Sequence, residues 1–185
     1  MIYIVTALYA EAVPVIEKFS LKPVQKKPFA LFATENIALV VSGIGKISAA
    51  AAVAHILTIY PSEKGKIFNI GIAAGRESFD IGEIVCIEKS VDSCSNKVFH
   101  LKPTPKIKKA SCITVSTEMK KTIKYDLADM EASAIVEVAK KFRIQPVLLK
   151  VISDHFEPEK IKKESVSDLI LKNMNIIEKL LKEYL

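Results

Sequence analysis

Short apolar runs alternate with stretches of helical spacing along this chain of 185 residues. Uninterrupted runs rich in β-branched residues indicate strands buried on both faces, and apolar positions three and four residues apart indicate helices with one buried face. The sequence predicts strands at Ile2 to Thr6, Phe29 to Ala33, Ile37 to Val41, Lys66 to Ile70, Glu83 to Val91, Lys97 to Leu101, Cys112 to Val115 and Gln145 to Ile152. It predicts helices at Glu11 to Phe19, Lys46 to Tyr60, Leu127 to Phe142 and Val166 to Tyr184.

The order of these elements determines the expected fold class. Strands and helices alternate from end to end, and no repeat, linker or low-complexity segment interrupts them. Lys102 to Lys109 carries Pro103 and Pro105, so we expect a loop or an edge there, because proline cannot donate to a sheet. The alternation predicts one α/β domain over residues 1–185, with a mixed, mostly parallel central sheet flanked by helices.

Composition and charge narrow the possible partners. Hydrophobic residues make up 50% of the chain and charged residues 26%, which is typical of a folded domain rather than a disordered chain. The net charge of +6 raises the possibility of a nucleic-acid partner. Its distribution argues against one, because Arg76 and Arg143 are the only arginines and the lysines are scattered. Arginine is the preferred ligand of phosphates and base edges, so we expect a solvated lysine-rich surface and no nucleic-acid partner.

The sequence contains no signal for a membrane or for an oxidising compartment. No apolar run reaches the roughly 20 residues of a membrane-spanning helix. The apolar opening segment is interrupted by Glu11 and lacks both a basic start and a cleavage site, so it is not a signal peptide. Cys86, Cys94 and Cys112 are odd in number and form no CxxC pair, which indicates neither disulfides nor zinc. We expect a cytoplasmic protein with no membrane partner, no metal ion and no other cofactor.

Two segments of small residues follow predicted strands. Ser42 to Lys46 has the place of a phosphate loop, but Val40 stands where a Walker A loop needs glycine and Ser48 where a dinucleotide fingerprint does. Tight packing between strand and helix is therefore favoured there over nucleotide binding. Gly71 to Gly75 has two open interpretations: it lets backbone N–H groups approach a ligand, or it is a plain tight turn.

Three carboxylates are placed for a common site. Glu11 lies shortly after the first strand, Asp154 ends the strand from Gln145 to Ile152, and Glu131 is near the start of a predicted helix. Ligands of open α/β sheets bind outside the carboxyl ends of the strands, so these acids and Gly71 to Gly75 are predicted to share one crevice. The alternative is that Glu11 and Glu131 are ordinary first-turn acids, which the helix dipole favours.

Five motifs in a fixed order carry a family resemblance: Ala7-Leu8-Tyr9-Ala10-Glu11, Ser42-Gly43-Ile44-Gly45-Lys46, Asn69-Ile70-Gly71-Ile72-Ala73-Ala74-Gly75, Asp129-Met130-Glu131-Ala132 and Ile152-Ser153-Asp154. Together they resemble the purine nucleoside phosphorylase and nucleosidase superfamily. The sequence is most similar to 5′-methylthioadenosine/S-adenosylhomocysteine nucleosidases and futalosine hydrolases. The likeness covers nearly the whole chain, and its Met-Glu-Ala and Ile-Ser-Asp pieces are the most specific.

The resemblance implies hydrolysis of the N-glycosidic bond of a purine nucleoside, with release of the free base. It implies that Asp154 donates a proton toward N7 of the purine, that Glu131 holds the ribose hydroxyls, and that Glu11 positions and deprotonates the attacking water. Met130 would pack under the ribose. The remaining substrate-binding residues on this interpretation are Ser153, Ile72, Ala73 and Met119. A small-molecule nucleoside is the implied partner, and the family usually pairs, which implies a homodimer.

Two departures from the superfamily concern the substrate. Ile72 stands where the nucleosidases usually have a serine, and Ala74 replaces a glycine. The segment from Thr117 to Tyr125 is shorter than its counterpart and brings no stacking aromatic residue into line with the base. Either the base pocket is more open, or Met119 takes the place of that aromatic residue. We expect the partner in a dimer to help close the pocket.

Two alternative functions remain. A phosphorylase of this superfamily binds phosphate through an arginine just before the small-residue segment; Asn69 to Gly71 stands there instead, as in the nucleosidases, and Arg76 and Arg143 lie elsewhere. Water is therefore favoured over phosphate as the nucleophile. A non-catalytic nucleoside-binding relative is the other alternative: the short Thr117 to Tyr125 segment favours it, and the presence of all three acids argues against it.

Overall fold

The structure is a computed structural model that describes residues 1–62, 64–104, 106–120, 124–160 and 163–185. Within these ranges the chain forms ten strands: β1 (Ile2–Thr6), β2 (Lys22–Gln25), β3 (Ala30–Ala33), β4 (Ile37–Val41), β5 (Lys66–Gly75), β6 (Ile84–Asp92), β7 (Val98–His100), β8 (Lys109–Thr114), β9 (Leu127–Asp129) and β10 (Gln145–Asp154). It forms five α-helices: α1 (Tyr9–Lys18), α2 (Lys46–Ile59), α3 (Ala132–Lys141), α4 (Lys163–Lys172) and α5 (Met174–Lys182).

The strands form one mixed sheet, so the predicted α/β fold class is confirmed. Its centre is parallel, with β4, β1, β5 and β10 side by side, and antiparallel strands flank it. β5 pairs with β1 along its first half and with β9 through Ala74 and Gly75. In addition, β10 pairs with β6, β6 with β8, and β8 with β9. Because β5 pairs with both β9 and β10, these five strands close into a ring. The ring closes at the carboxyl end of β5.

Helices cover both faces of the sheet, because its central strands are apolar on both sides. In β1, Tyr3 and Val5 belong to the apolar cluster under α2 and α3, whereas Ile2 and Ile4 belong to the cluster under α1, α4 and α5. All five residues of β1 are buried. In the described part of the chain, no helix is both long enough and apolar enough to cross a membrane.

The predicted helix from Leu127 to Phe142 is wrong at its start. Leu127–Asp129 is β9, which pairs with β5 and β8, and α3 begins only at Ala132. The Asp129 carboxylate accepts hydrogen bonds from the backbone N–H groups of Glu131 (3.4 Å) and Ala132 (2.8 Å). A side chain that satisfies first-turn donors fixes the point where a helix begins, and apolar spacing does not reveal it.

Three further features of the structure differ from what the sequence predicts. The segment from Gly71 to Gly75 continues β5 instead of forming a turn. The last predicted helix is divided at Asn173, whose side-chain amide donates to the backbone oxygens of Leu169 (2.9 Å) and Gly82 (3.0 Å). The exposed edge strand β2 was not predicted, since its polar residues show no alternation. The loop predicted at Lys102 to Lys109 agrees with the structure as far as Lys109, where β8 begins; residue 105 lies outside the described residues.

Candidate active site

A cavity of about 310 Å³ lies at the carboxyl ends of β1, β5 and β10. The structure brings together here all eight residues that the sequence proposes for the site: Glu11, Ile72, Ala73, Met119, Met130, Glu131, Ser153 and Asp154. They come from five separate segments of the chain, and the fold brings all five segments to this edge of the sheet. The position agrees with the general rule for ligands of α/β sheets.

Glu11 is buried at the start of α1 and is held by the backbone. One of its carboxylate oxygens accepts hydrogen bonds from the N–H groups of Ala7 (2.8 Å) and Leu8 (2.9 Å), and the other accepts one from Ile72 (2.9 Å). Gly71 allows this approach, because a Cβ atom there would lie 2.9 Å from Glu11 Oε1. The small residues of β5 therefore admit a carboxylate of the protein itself.

Glu131 lies directly before α3 and is held by the other glycine segment. Its Oε1 atom accepts a hydrogen bond of 2.8 Å from the backbone N–H of Gly45. Gly45 has a φ of +99°, a conformation that glycine adopts without strain, and α2 begins at the next residue. The segment Ser42 to Lys46 thus contacts a carboxylate across the cavity, in addition to joining a strand to a helix.

The pKa values of the Glu11 and Glu131 carboxyl groups both lie above their ordinary range. Burial, reinforced by the negative charge of Asp129, raises the pKa of Glu131 to about 7, although Lys150 and the Gly45 N–H oppose the rise. Burial also raises the pKa of Glu11, against its backbone hydrogen bonds and the charge of Lys150. A carboxyl group that gains or loses its proton near neutral pH is suited to general acid–base chemistry.

Asp154 is buried at the end of β10, where the strand is irregular. The pairing with β5 passes from Ile152–Ala73 directly to Asp154–Ala74 and leaves Ser153 as an extra residue. Such bulges redirect side chains and are frequent beside active sites. The Ser153 hydroxyl donates to Asp154 Oδ2 (2.7 Å), and the Glu157 N–H donates to Oδ1 (2.8 Å), so both oxygens of the carboxyl group are oriented.

An ion pair beside the cavity, whose Asp129 is part of the lining, was missed from the sequence. Lys150 Nζ lies 2.8 Å from Asp129 Oδ2, and each side chain is only 1% exposed. Asp129 also accepts a hydrogen bond of 2.8 Å from the Thr114 hydroxyl. The signal for this pair is the lysine itself, which interrupts an otherwise apolar run in β10.

The remaining lining combines apolar side chains with carboxylates. Leu8, Ile44 and Val115 contribute apolar surface, and Glu118 and Met119 form part of the rim. Among the described residues that line the cavity there is no aromatic side chain, lysine, arginine or histidine. Of the Thr117 to Tyr125 segment, residues 121–123 lie outside the described ranges. Such a lining suits a neutral ligand that has apolar surface and hydroxyl groups to donate, and it disfavours an anion.

The sequence alone matches no protein-family model and no curated protein. The structure, in contrast, is similar to several solved nucleosidases. A 5′-methylthioadenosine/S-adenosylhomocysteine nucleosidase from Helicobacter pylori, solved with butyl-thio-DADMe-Immucillin-A, has a TM-score of 0.83 at 14% identity, over 98% of this chain and 97% of that one. The futalosine hydrolase of Helicobacter pylori strain 26695 gives the same four values, 0.83, 14%, 98% and 97%.

A 5′-methylthioadenosine nucleosidase from Arabidopsis thaliana is also similar, with a TM-score of 0.76 and 18% identity over 95% of each chain. The matches span nearly the full length of both proteins. At these identities they establish a shared fold, and the expected nucleoside phosphorylase-like architecture is confirmed.

Proposed function

We propose that this protein hydrolyses the N-glycosidic bond of a purine nucleoside and releases the free base. The observation that carries the proposal is the meeting of Glu11, Glu131 and Asp154 in one cavity. The shared fold supports it, since the similar proteins include nucleosidases for 5′-methylthioadenosine and S-adenosylhomocysteine and a futalosine hydrolase. Nucleosides of these types, which carry a substituent at the 5′ position, are the proposed substrates.

In the proposed mechanism each acid has one task. Asp154 protonates the purine at N7. Without this proton the base would have to leave as an anion, which is a poor leaving group, whereas the protonated base leaves as a neutral molecule. Glu11 accepts a proton from the water that attacks the sugar. Glu131 accepts a hydrogen bond from the ribose 2′-OH, and this bond strengthens as the sugar takes on oxocarbenium character. The backbone hydrogen bonds to Glu11 and Glu131 hold both carboxylates in place before substrate binds.

The charge of the cavity favours water over phosphate as the nucleophile. Glu11, Glu131, Asp154 and Glu118 line it, and the described lining residues include no cation. A phosphate ion would meet like charges, and none of the described lining residues is a cation that could bind it. We therefore place the phosphorylase second, and a non-catalytic nucleoside-binding protein third.

We further propose a cytoplasmic homodimer in which α2 contributes to the interface. α2 is apolar on nearly every side, yet no element that the structure describes covers one of its faces: Ile47 is 88% exposed, and Ala51 on the next turn is also exposed. Ile44, which lines the cavity, is 55% exposed just before this helix. An exposed apolar face beside a ligand site is typical of an interface. A second copy packed there would also cover the cavity mouth at Ile44.

A product assay tests the proposed function. Purified protein is incubated with 5′-methylthioadenosine, S-adenosylhomocysteine, futalosine, adenosine and inosine, each with and without inorganic phosphate. Free base and the sugar product are then separated by chromatography. We expect base release at equal rates in both conditions, with a free sugar as the second product. Phosphate-dependent formation of a sugar 1-phosphate would establish the phosphorylase, and saturable binding without turnover would establish the non-catalytic protein.

A further inference from the structure

The buried ion pair of Lys150 and Asp129 lies between the two buried glutamates of the cavity, Glu11 and Glu131. Lys150 lies opposite Gly71 in the β5–β10 ladder, and Gly71 is the residue against which the Glu11 carboxylate packs. Asp129 ends β9, caps α3, and stands two residues before Glu131. The pair therefore joins the strand beside Glu11 to the segment that carries Glu131.

Such a pair is costly to bury and is rarely needed for stability alone. Removing two charges from water costs several kcal/mol per ion, and well-packed apolar residues often replace a buried pair without loss of stability. Here one ammonium group serves more than one acid, because Glu11, Asp129 and Glu131 all interact with Lys150. Burial opposes the charge of Lys150, but Asp129 and Glu131 outweigh it and keep the lysine pKa above its ordinary value.

Charged and titratable groups face Glu131 from each neighbouring element that the structure describes. They are Asp129 on β9, Lys150 and Asp154 on β10, Glu11 on α1, Cys112 on β8, Glu118 on the cavity rim, and the Lys46–Asp92 pair that touches α3 through Ser133. Lys46 is 2.8 Å from Asp92, so its charge is already compensated. Among the described residues, Lys150 is thus the buried cation that acts on Glu131, and Asp129 is the acid that opposes it most strongly.

We propose that Lys150 and Asp129 are a positioning pair whose opposite charges set the lowest pH at which the site is active. The inference rests on the proposed nucleosidase function, in which Glu131 has to be ionised to accept a hydrogen bond from the ribose. Lys150 favours the ionised form of Glu131 and Asp129 disfavours it. Asp129 also fixes the backbone next to Glu131 through its bond to Ala132, so charge and location are set together.

The test is the pH profile of kcat/KM for base release, which reports groups of the free enzyme. With Glu131 required as a carboxylate, activity falls as the pH falls through the Glu131 pKa of about 7. We expect the acid limb to move up by about one pH unit or more in Lys150→Met and down by a similar amount in Asp129→Asn, the scale of a nearby buried charge. Lys150→Arg, which keeps the charge, is expected to keep the wild-type limb.

The double variant Lys150→Met/Asp129→Asn is the matched control, because it removes both charges at once. We expect its limb near that of the wild type. Circular dichroism and thermal melting establish which variants are folded. If Lys150→Met does not fold, Asp129→Asn and the double variant carry the test, because the limb should move down in the first and stay near the wild-type position in the second. A limb that stays in place in folded Asp129→Asn, or that moves equally in every variant, would overturn the pairing.

A readout independent of turnover separates this inference from the proposed function. Carboxyl-labelled glutamate allows the titration of Glu131 to be followed by NMR in the free protein, with Glu131→Gln as the assignment standard. Shifts of that titration in the predicted directions, without base release by the wild type, would support the pair and refute the nucleosidase. Base release with an identical Glu131 titration in all folded variants would do the reverse.

Discussion

The two walls of the cavity are built differently. On the wall made by the sheet, Glu11 and Glu131 are buried and bonded to backbone N–H groups, and the Lys150–Asp129 pair lies beneath them. On the wall made by loops, Glu118 is exposed, Met119 and Pro158 are partly exposed, and the Glu118 side chain makes no hydrogen bond within the described part of the chain.

In the proposed nucleosidase reaction, the two walls would have different tasks. Groups that meet a developing charge are most effective when they are fixed in advance, and a sheet fixes them through many backbone bonds. Contacts that only surround the base tolerate a looser wall. Asp154 stands where the walls meet, since it ends β10 and opens the loop that leads to Pro158. Substitutions on the sheet wall should therefore change turnover, and those on the loop wall should change binding.

The largest effect is expected at the junction, in Asp154→Asn. Asparagine keeps the size of the side chain but cannot deliver a proton, so turnover on natural purine nucleosides should fall by about 10²–10⁴-fold. A substrate with a good leaving group, 4-nitrophenyl riboside, needs no proton and should lose little. Steady-state rates on both substrates measure this difference. Equal losses on both would make Asp154 a structural residue, and no loss on either would remove it from the mechanism.

The next effect is expected on the sheet wall, in Glu131→Gln. The amide is a weaker acceptor for the ribose 2′-OH, so kcat should fall by roughly 10²-fold, the scale of one fixed hydrogen bond in a transition state, while KM changes less. Glu137→Gln is the control, because Glu137 lies on the exposed side of α3 and pairs with Lys97. An active Glu131→Gln enzyme that also accepts 2′-deoxy substrates at full rate would contradict this role.

A smaller effect is expected outside both walls, at the exposed face of α2. Ile47→Glu places a charge in the proposed interface, so the protein should become monomeric and its KM should rise several-fold. Analytical ultracentrifugation and kinetics at high dilution measure the two changes. Leu171→Glu is the matched control, since Leu171 is an exposed apolar residue on α4, on the other face of the sheet. A wild-type monomer with full activity would rule out the role of the partner.

The smallest effect is expected on the loop wall, at Met119. Met119→Ala removes apolar contact with the base, so KM should rise a few-fold at unchanged kcat, the signature of lost uniform binding. Met119→Phe supplies an aromatic face for stacking and should lower KM. Initial rates over a range of substrate concentrations separate the two constants. A change in kcat for either variant would show that the loop wall takes part in the chemistry.

The sequence predicts the apolar central strands well, and the short flanking strands and the starts of helices poorly. Ile2 to Thr6 and Ile37 to Val41 have the predicted bounds, because strands buried on both faces are simple apolar runs. β9 was missed because the Asp129 side chain, rather than apolar spacing, determines where α3 begins. A local pattern determines the bounds of β1 and β4, whereas a side-chain contact determines where α3 begins.

The site shows the same limit. Its eight residues were named from motifs, yet the contacts that hold them join distant parts of the chain: Gly45 and Glu131 are 86 residues apart, and Glu11 and Ile72 are 61 apart. The glycines and the carboxylates are both visible in the sequence, but the sequence does not show which carboxylate each glycine contacts. Lys150 was visible as a lysine in an apolar strand, and only the fold shows that Asp129 lies beside it.

The hydrogen bond from the Gly45 N–H to Glu131 links an exposed surface to a buried carboxylate of the cavity through a single peptide unit. Ile44, Gly45 and Ile47 belong to one short stretch that touches the cavity, the carboxylate and the exposed face of α2 in turn. A contact made on that face would therefore lie only two residues from the donor that orients Glu131. The exchange rate of the Gly45 amide proton with deuterated solvent reports how firmly that donor is held.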